Sequence, residues 1–200
     1  VTMLLLDGAS LDYISPAVAE GKLPNFGKIL DEGTAVHLTT LRPTQPGPVW
    51  TAAATGKYAP KNGVRSAAAY SVSPRGEPLE LLPDYCFSNG LVYFGFVSEI
   101  PHTSASWRAR PLWDILSGFG FSVGIVGWPL TYPARPVRGY MVSERFHLAV
   151  GSPLELDTQL VYPAGLMSLM QTHLASGAAQ TSEVATPLAD PMPQPSIDAG

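Results

Sequence analysis

The sequence predicts an α/β fold, a mostly parallel sheet with helices on both faces in a three-layer α/β/α sandwich. Two continuous apolar runs carry this reading, "VTMLLL" at residues 1–6 and "FSVGIVGW" at residues 121–128. Unbroken apolar character is what a strand needs when both of its faces are covered. The third observation is alternation, since strand-like runs are separated by segments with helical spacing. In such sheets ligands bind beyond the carboxyl ends of the strands.

The first run stops at Asp7-Gly8. A helix is expected next, with Ser10 as its cap and a break near Ile14 and Ser15 ahead of Pro16. "LPNFGKILDEG" predicts a second helix capped by Asn25, with Phe26, Ile29 and Leu30 on one face and Gly33 as its stop. "AVHLTTL" at residues 35–41 reads as a strand, and residues 47–55 as a helix ended by Gly56. Residues 65–107 mix Pro, Gly, Ser and aromatics without a clean period, apart from the strand-like "LVYFGFV" at 91–97. They are expected to form a loop-rich insertion. "RPLWDILSGFG" predicts a helix that packs Leu112, Trp113, Ile115 and Leu116 on the sheet and ends at Gly118 and Gly120. The strand at 121–128 follows, then another at 138–146 leaving through a polar end. "PAGLMSLMQTHLA" at 163–175 is an amphipathic helix with Pro at its start. One domain is therefore expected over 1–175. The aperiodic, Pro-rich residues 176–200 are expected to be a disordered tail.

Composition narrows the function classes. With 46% apolar and 14% charged residues, the chain can bury a sizeable core. Its net charge is -4 and its Lys and Arg are scattered, which argues against nucleic acid as a partner. A single cysteine, Cys86, excludes an intramolecular disulfide and a CxxC metal knuckle. No apolar run approaches the ~20 residues of a membrane span. The opening residues lack the basic flank of a signal peptide. No membrane partner is expected, and a cytoplasmic location is the default.

Two places can carry chemistry. Asp7 ends the first apolar run, so its carboxylate is placed to hold a cation while Gly8 lets the backbone turn beneath it. The alternative is an ordinary Asp-Gly turn. In "RPTQPGPVWTAAATG", Pro43, Pro46 and Pro48 stiffen the chain entering a helix near Gly47. A helix N-terminus offers unpaired N–H groups to a phosphate. Thr44 lies just ahead, a candidate nucleophile or else a local cap on a helix flank. Thr51 and Thr55, inside the helix, are expected to bond back to carbonyls one turn earlier. His37, His102, His147 and His173 show no metal-ligand spacing such as HxxxH and are expected to be structural or exposed.

Three segments in order resemble the alkaline phosphatase superfamily, in its branch of type I phosphodiesterases and nucleotide pyrophosphatases. They are "LLLDGASLDYISPAVAEGKLPNFGKILDEG", "PVWTAAATGKYAPKNGV" and "RPLWDILSGFGFSVGIVGWPLTYPARPVRGYMVSERF", continued by "VYPAGLMSLM". Together they span about residues 1 to 170. The resemblance implies an alkaline phosphatase-like sandwich and a metal-dependent phosphoesterase. Such an enzyme cleaves phosphodiesters or pyrophosphates through a Thr or Ser nucleophile, with two divalent ions, usually zinc. It implies Asp7 and Thr44 as metal ligands, Thr44 as nucleophile, Gly47 and Asn62 as phosphate-binding residues, and a small phosphate ester as substrate.

The chain departs from the family pattern in three ways. The family nucleophile usually lies ten residues before the Thr-Gly glycine, and here that position is Pro46. Thr44 is the nearest upstream hydroxyl. The "HG" of the family's turn is Asn62-Gly63. The later Asp-x-x-x-His and Asp-His-Gly ligand segments do not occur. The expectation is the front half of a catalytic domain, incomplete and slow by itself, with self-association through an exposed sheet edge. The alternative is a non-catalytic α/β remnant that binds a phosphate ligand or a partner protein.

Overall fold

The computed structural model describes residues 1–42, 44–66, 68–72, 76–79, 86–149, 158–173 and 176. The chain divides into two compact units, Val1–Thr40 and Leu41–Gly200. Of the expected tail at 176–200, residues 177–200 lie outside the described residues.

The first unit is a pair of helices, α1 (Leu11–Ala19) and α2 (Pro24–Glu32). Ser10 caps α1, its hydroxyl accepting the Asp12 N–H at 3.1 Å. The expected break at Ile14 and Ser15 is absent, and α1 runs through Pro16 with Ile14 and Ala17 buried. The cap of α2 is Leu23 rather than Asn25, because Pro24 takes the first helical position, where its fixed φ and missing N–H suit it. Gly33 ends α2, as expected. A Cβ on buried Gly27 would stand 3.0 Å from Val18 Cγ1, so the two helices pack close there.

Two strand expectations fail in this unit. Residues 1–6 and 35–40 form no strand, and Met3, Leu4, Val36 and Leu38 are exposed. An apolar run becomes a buried strand only when neighbours supply ladder partners and cover, and none of the described strands pairs with either run.

The second unit holds α3 (Pro46–Thr55), α4 (Ala59–Asn62), β1 (Ala68–Ser71), α5 (Cys86–Tyr93) and β2 (Ser98–Pro101). It continues with α6 (Leu112–Gly118), β3 (Val123–Val126), β4 (Gly139–Val142) and β5 (Val161–Tyr162). Residues 167–173 are helical, which agrees with the expected amphipathic helix. The "LVYFGFV" run is not a strand. Its first part completes α5, and Tyr93, Phe94 and Phe96 are exposed. Short apolar runs do not distinguish strand from helix by period alone.

Two small sheets result. β1 and β2 pair antiparallel, Ala68 opposite Pro101 and Ser71 opposite Ser98. The other sheet has the order β3-β4-β5, with β3 parallel to β4 and β4 antiparallel to β5. The α/β class therefore holds, with one parallel pairing between named strands and two antiparallel ones among the described residues. The strand expected inside the sheet at 121–128 is its edge instead. Among the described residues β3 pairs only with β4, and it buries Ile125 and leaves Val126 68% exposed. At its centre Tyr140 lies across Gly124, where any side chain would meet the ring.

One core cluster of this unit joins Ala54, Trp113, Ile125, Val137 and Met141, a second joins Val142, Phe146, Leu160 and Val161, and a third joins Ala68, Tyr70 and Val97. Of the α6 residues expected on the sheet only Trp113 is buried, and Leu112 and Ile115 are exposed. Trp113 stands 5.4 Å from Trp107 and 5.2 Å from Trp128, and Trp128 meets Trp50 edge-on at 6.1 Å. This row of indoles fastens α3 to the sheet.

Candidate functional site

Asp7 belongs to the first unit. It is exposed, in a turn whose Gly8 has φ +72, and the Ser10 N–H donates to the Gly8 carbonyl at 3.0 Å. Positive φ suits a residue without Cβ, so the sharp turn expected beneath Asp7 is present and leads straight into α1.

Thr44 belongs to the second unit and lies ahead of α3, also exposed. Its hydroxyl donates to the Leu41 carbonyl at 3.1 Å, a local bond of the kind a helix flank makes. Pro46 occupies the first helical position and Gln45 the N-cap, with no side-chain cap bond. Neither Pro46 nor Pro48 has an N–H, so Gly47 supplies the single N–H among the first three helical residues. Half-exposed Gly47 thus offers a thin anion cradle. At the other end, Gly56 adopts φ 63 and returns its N–H to the Ala52 carbonyl at 2.8 Å, the stop expected of it.

The threonines within α3 differ from one another. Thr55 Oγ1 donates to the Thr51 carbonyl at 2.7 Å, as expected. Thr51 does not bond back. It is fully buried, and its hydroxyl has no partner among the described residues. Burial removes Thr51 from contact with any substrate in solution.

Asn62 is fully buried at the end of α4. Its Nδ2 donates to the Lys57 carbonyl at 2.7 Å, and its Oδ1 accepts the Val64 N–H at 2.9 Å. Both ends of the amide thus lock the turn, and no part of the side chain reaches solvent. Gly63 follows at φ +91, where an added Cβ would stand 2.8 Å from both Arg108 Cγ and the Ser106 carbonyl oxygen. Only glycine fits there on both counts.

Sequence reasoning missed the polar clasp under β4. Glu144 Oε2 accepts the N–H and the hydroxyl of Thr131, both at 2.9 Å, and the same hydroxyl lies 2.6 Å from the Trp128 carbonyl. The two residues are thirteen positions apart, and nothing in their local patterns pairs them.

Among the described residues, no three His, Cys, Asp or Glu side chains gather where they could hold a metal ion. Catalytic zinc takes three protein ligands, and Asp7 belongs to no such group among the described residues. The described residues do not assemble the two-ion set that the resemblance implies. His37, His147 and His173 are exposed and His102 is buried, without metal-ligand grouping among the described residues. Nor is any described helix long and apolar enough to cross a membrane.

A family model described as type I phosphodiesterase / nucleotide pyrophosphatase matches residues 1–182. No curated protein and no solved structure matches the chain.

Proposed function

The chain belongs to the type I phosphodiesterase / nucleotide pyrophosphatase family, within the alkaline phosphatase superfamily, and on that membership we propose that it serves the hydrolysis of phosphodiesters or pyrophosphates. The match over residues 1–182 carries this reading. The fold of the family, a three-layer sandwich about a mostly parallel sheet, belongs to the same proposal, supported by the parallel β3–β4 pair.

Within this reading Thr44 is the nucleophile. Its exposed Oγ attacks phosphorus and gives up its proton to solvent, the ester or anhydride oxygen leaves with the bonding pair, and water then cleaves the Thr44–phosphorus ester to release a phosphate monoester. The Gly47 N–H at the start of α3 supports the phosphate oxygens. Asp7 would be one ligand to a divalent cation, with zinc as the family's usual choice, which would supply charge neutralisation. Asn62 acts indirectly, by holding the chain from Lys57 to Val64 closed around α4. A small phosphate ester is the substrate class.

The test is covalent trapping. The protein is incubated with bis(p-nitrophenyl) phosphate and zinc, digested, and its peptides are weighed. A p-nitrophenyl phosphoryl adduct on the peptide bearing Thr44, absent from Thr44→Ala, is expected.

One observation favours a second reading. Pro46 stands at the position where the family usually carries its nucleophile, and a proline has no hydroxyl. In that reading the chain binds a phosphate ligand or a partner protein without turnover. No adduct, together with saturable phosphate binding, is its signature.

A further inference from the structure

A cavity of about 350 Å³ opens in the second unit between the segment entering α6, α6 itself and the chain ahead of β4. Its charged lining is Arg108, Arg110, Asp114 and Arg135. Arg108 already has a partner. Asp114, mostly buried, lies 3.7 Å from Arg135 Nη1, so these two charges offset one another. Arg110 has no ion-pair partner among the described residues. The lining therefore presents one unbalanced cation.

The fold sets what surrounds that cation. Arg110 Nη2 stands 3.6 Å from where a Cβ on Gly118 would be, so the guanidinium lies against the last turn of α6. Ser117, one residue earlier, also lines the cavity. Its Oγ accepts the Arg138 N–H, which leaves its own proton to donate. Trp107 and Pro136 give the lining its apolar part. Trp107 is held in place by Trp113, whose ring lies 5.4 Å away.

We infer that this cavity is a binding site for a small organic monocarboxylate, its carboxylate on Arg110 and Ser117 and its apolar body against Trp107 and Pro136. A planar guanidinium fork matches the two oxygens of a planar carboxylate in bidentate geometry. One unbalanced cation suits a single negative charge. A second negative charge on the ligand finds no free cation in the lining and is repelled by the Asp114 carboxylate. The volume lies at the small end of ligand pockets, suited to a small molecule. Such a ligand has no phosphoester bond to cleave, and the site uses neither Asp7 nor Thr44, so it stands apart from the hydrolytic reading.

Calorimetric titration of the full chain with benzoate tests it, in metal-free buffer, with benzyl alcohol as the uncharged analogue and phenyl phosphate as the dianion. Benzoate is expected to bind saturably, phenyl phosphate more weakly and benzyl alcohol not at all. Arg110→Gln should weaken benzoate binding by about tenfold, the loss of one charge-assisted contact. Arg110→Lys keeps the charge without the fork and should fall between parent and Arg110→Gln. Asp114→Asn removes the opposing carboxylate and should raise the affinity for phenyl phosphate more than that for benzoate. Should Asp114→Asn fail to fold, the exposed Arg110 still decides through its two variants. Equal binding of benzyl alcohol, no saturable benzoate binding at low millimolar concentration, phenyl phosphate bound more tightly than benzoate by the parent, or benzoate affinity unmoved by Arg110→Gln would overturn the assignment.

Discussion

The backbone N–H of Arg108 donates to the carbonyl of Asn62 at 2.8 Å, joining the turn after α4 to the segment that enters α6. Through this bond the Asn62-Gly63 turn is tied to the segment that brings Trp107 to the core. Asn62 faces inward on that turn and closes it with both ends of its amide.

Replacing Asn62 by Ala should therefore be costly. The Val64 N–H is buried and would lose its acceptor, and the Lys57 carbonyl would lose its donor. Two lost bonds and a buried orphan donor imply about 2–4 kcal/mol of destabilisation. Urea unfolding measures it, and a change below about 1 kcal/mol would show that the turn holds without the side chain.

Two glycines in left-handed backbone should respond differently to alanine. Gly56→Ala meets open space and carries only the conformational penalty of about 1–2 kcal/mol. Gly63→Ala carries that penalty and also a collision with the Ser106 carbonyl. Its loss should exceed that of Gly56→Ala in the same unfolding assay, and equal losses would mean that the Arg108 segment moves aside freely.

The clasp between Thr131 and Glu144 predicts a graded series. Glu144→Gln keeps an acceptor and should lie within about 1 kcal/mol of the parent. Glu144→Ala leaves the N–H of buried Thr131 without its partner and should lose about 1–3 kcal/mol. Thermal unfolding of the two variants orders them, and an inverted order would contradict the hydrogen-bond account.

The edge of β3 predicts association. Val126 is 68% exposed on a strand that pairs on one side only among the described residues, which makes it a template for another chain. Light scattering after gel filtration should show mass rising with concentration, and Val126→Lys should suppress the rise. A mass of 21.3 kDa at all concentrations would remove the edge from consideration.

Legibility followed the punctuation. The boundaries of α3 were readable because Pro46 can start a helix and Gly56 can stop one, both by backbone geometry alone. The strand at β4 was readable for the polar residues that end it. Apolar runs were not decisive: residues 1–6 have the composition of a buried strand, yet a strand also needs partners that composition does not provide. Residues 91–97 fit strand and helix equally, and the helix prevailed for their first part. The candidate site divides in the same way. Asp7-Gly8 and Thr44 announce themselves by position, whereas Arg110 and Arg135 share a cavity only after β3 and β4 have paired. The buried hydroxyl of Thr51, without a partner among the described residues, has no signature in the sequence.

The central claim is that Thr44 and Asp7 carry phosphoester chemistry. Its most direct measurement is release of p-nitrophenolate from bis(p-nitrophenyl) phosphate with added zinc, compared between the parent protein, Thr44→Ala and Asp7→Asn. The account predicts slow, zinc-dependent release by the parent that falls to the background rate in both variants. Release undiminished in either variant, or no release by the parent above background, would contradict it.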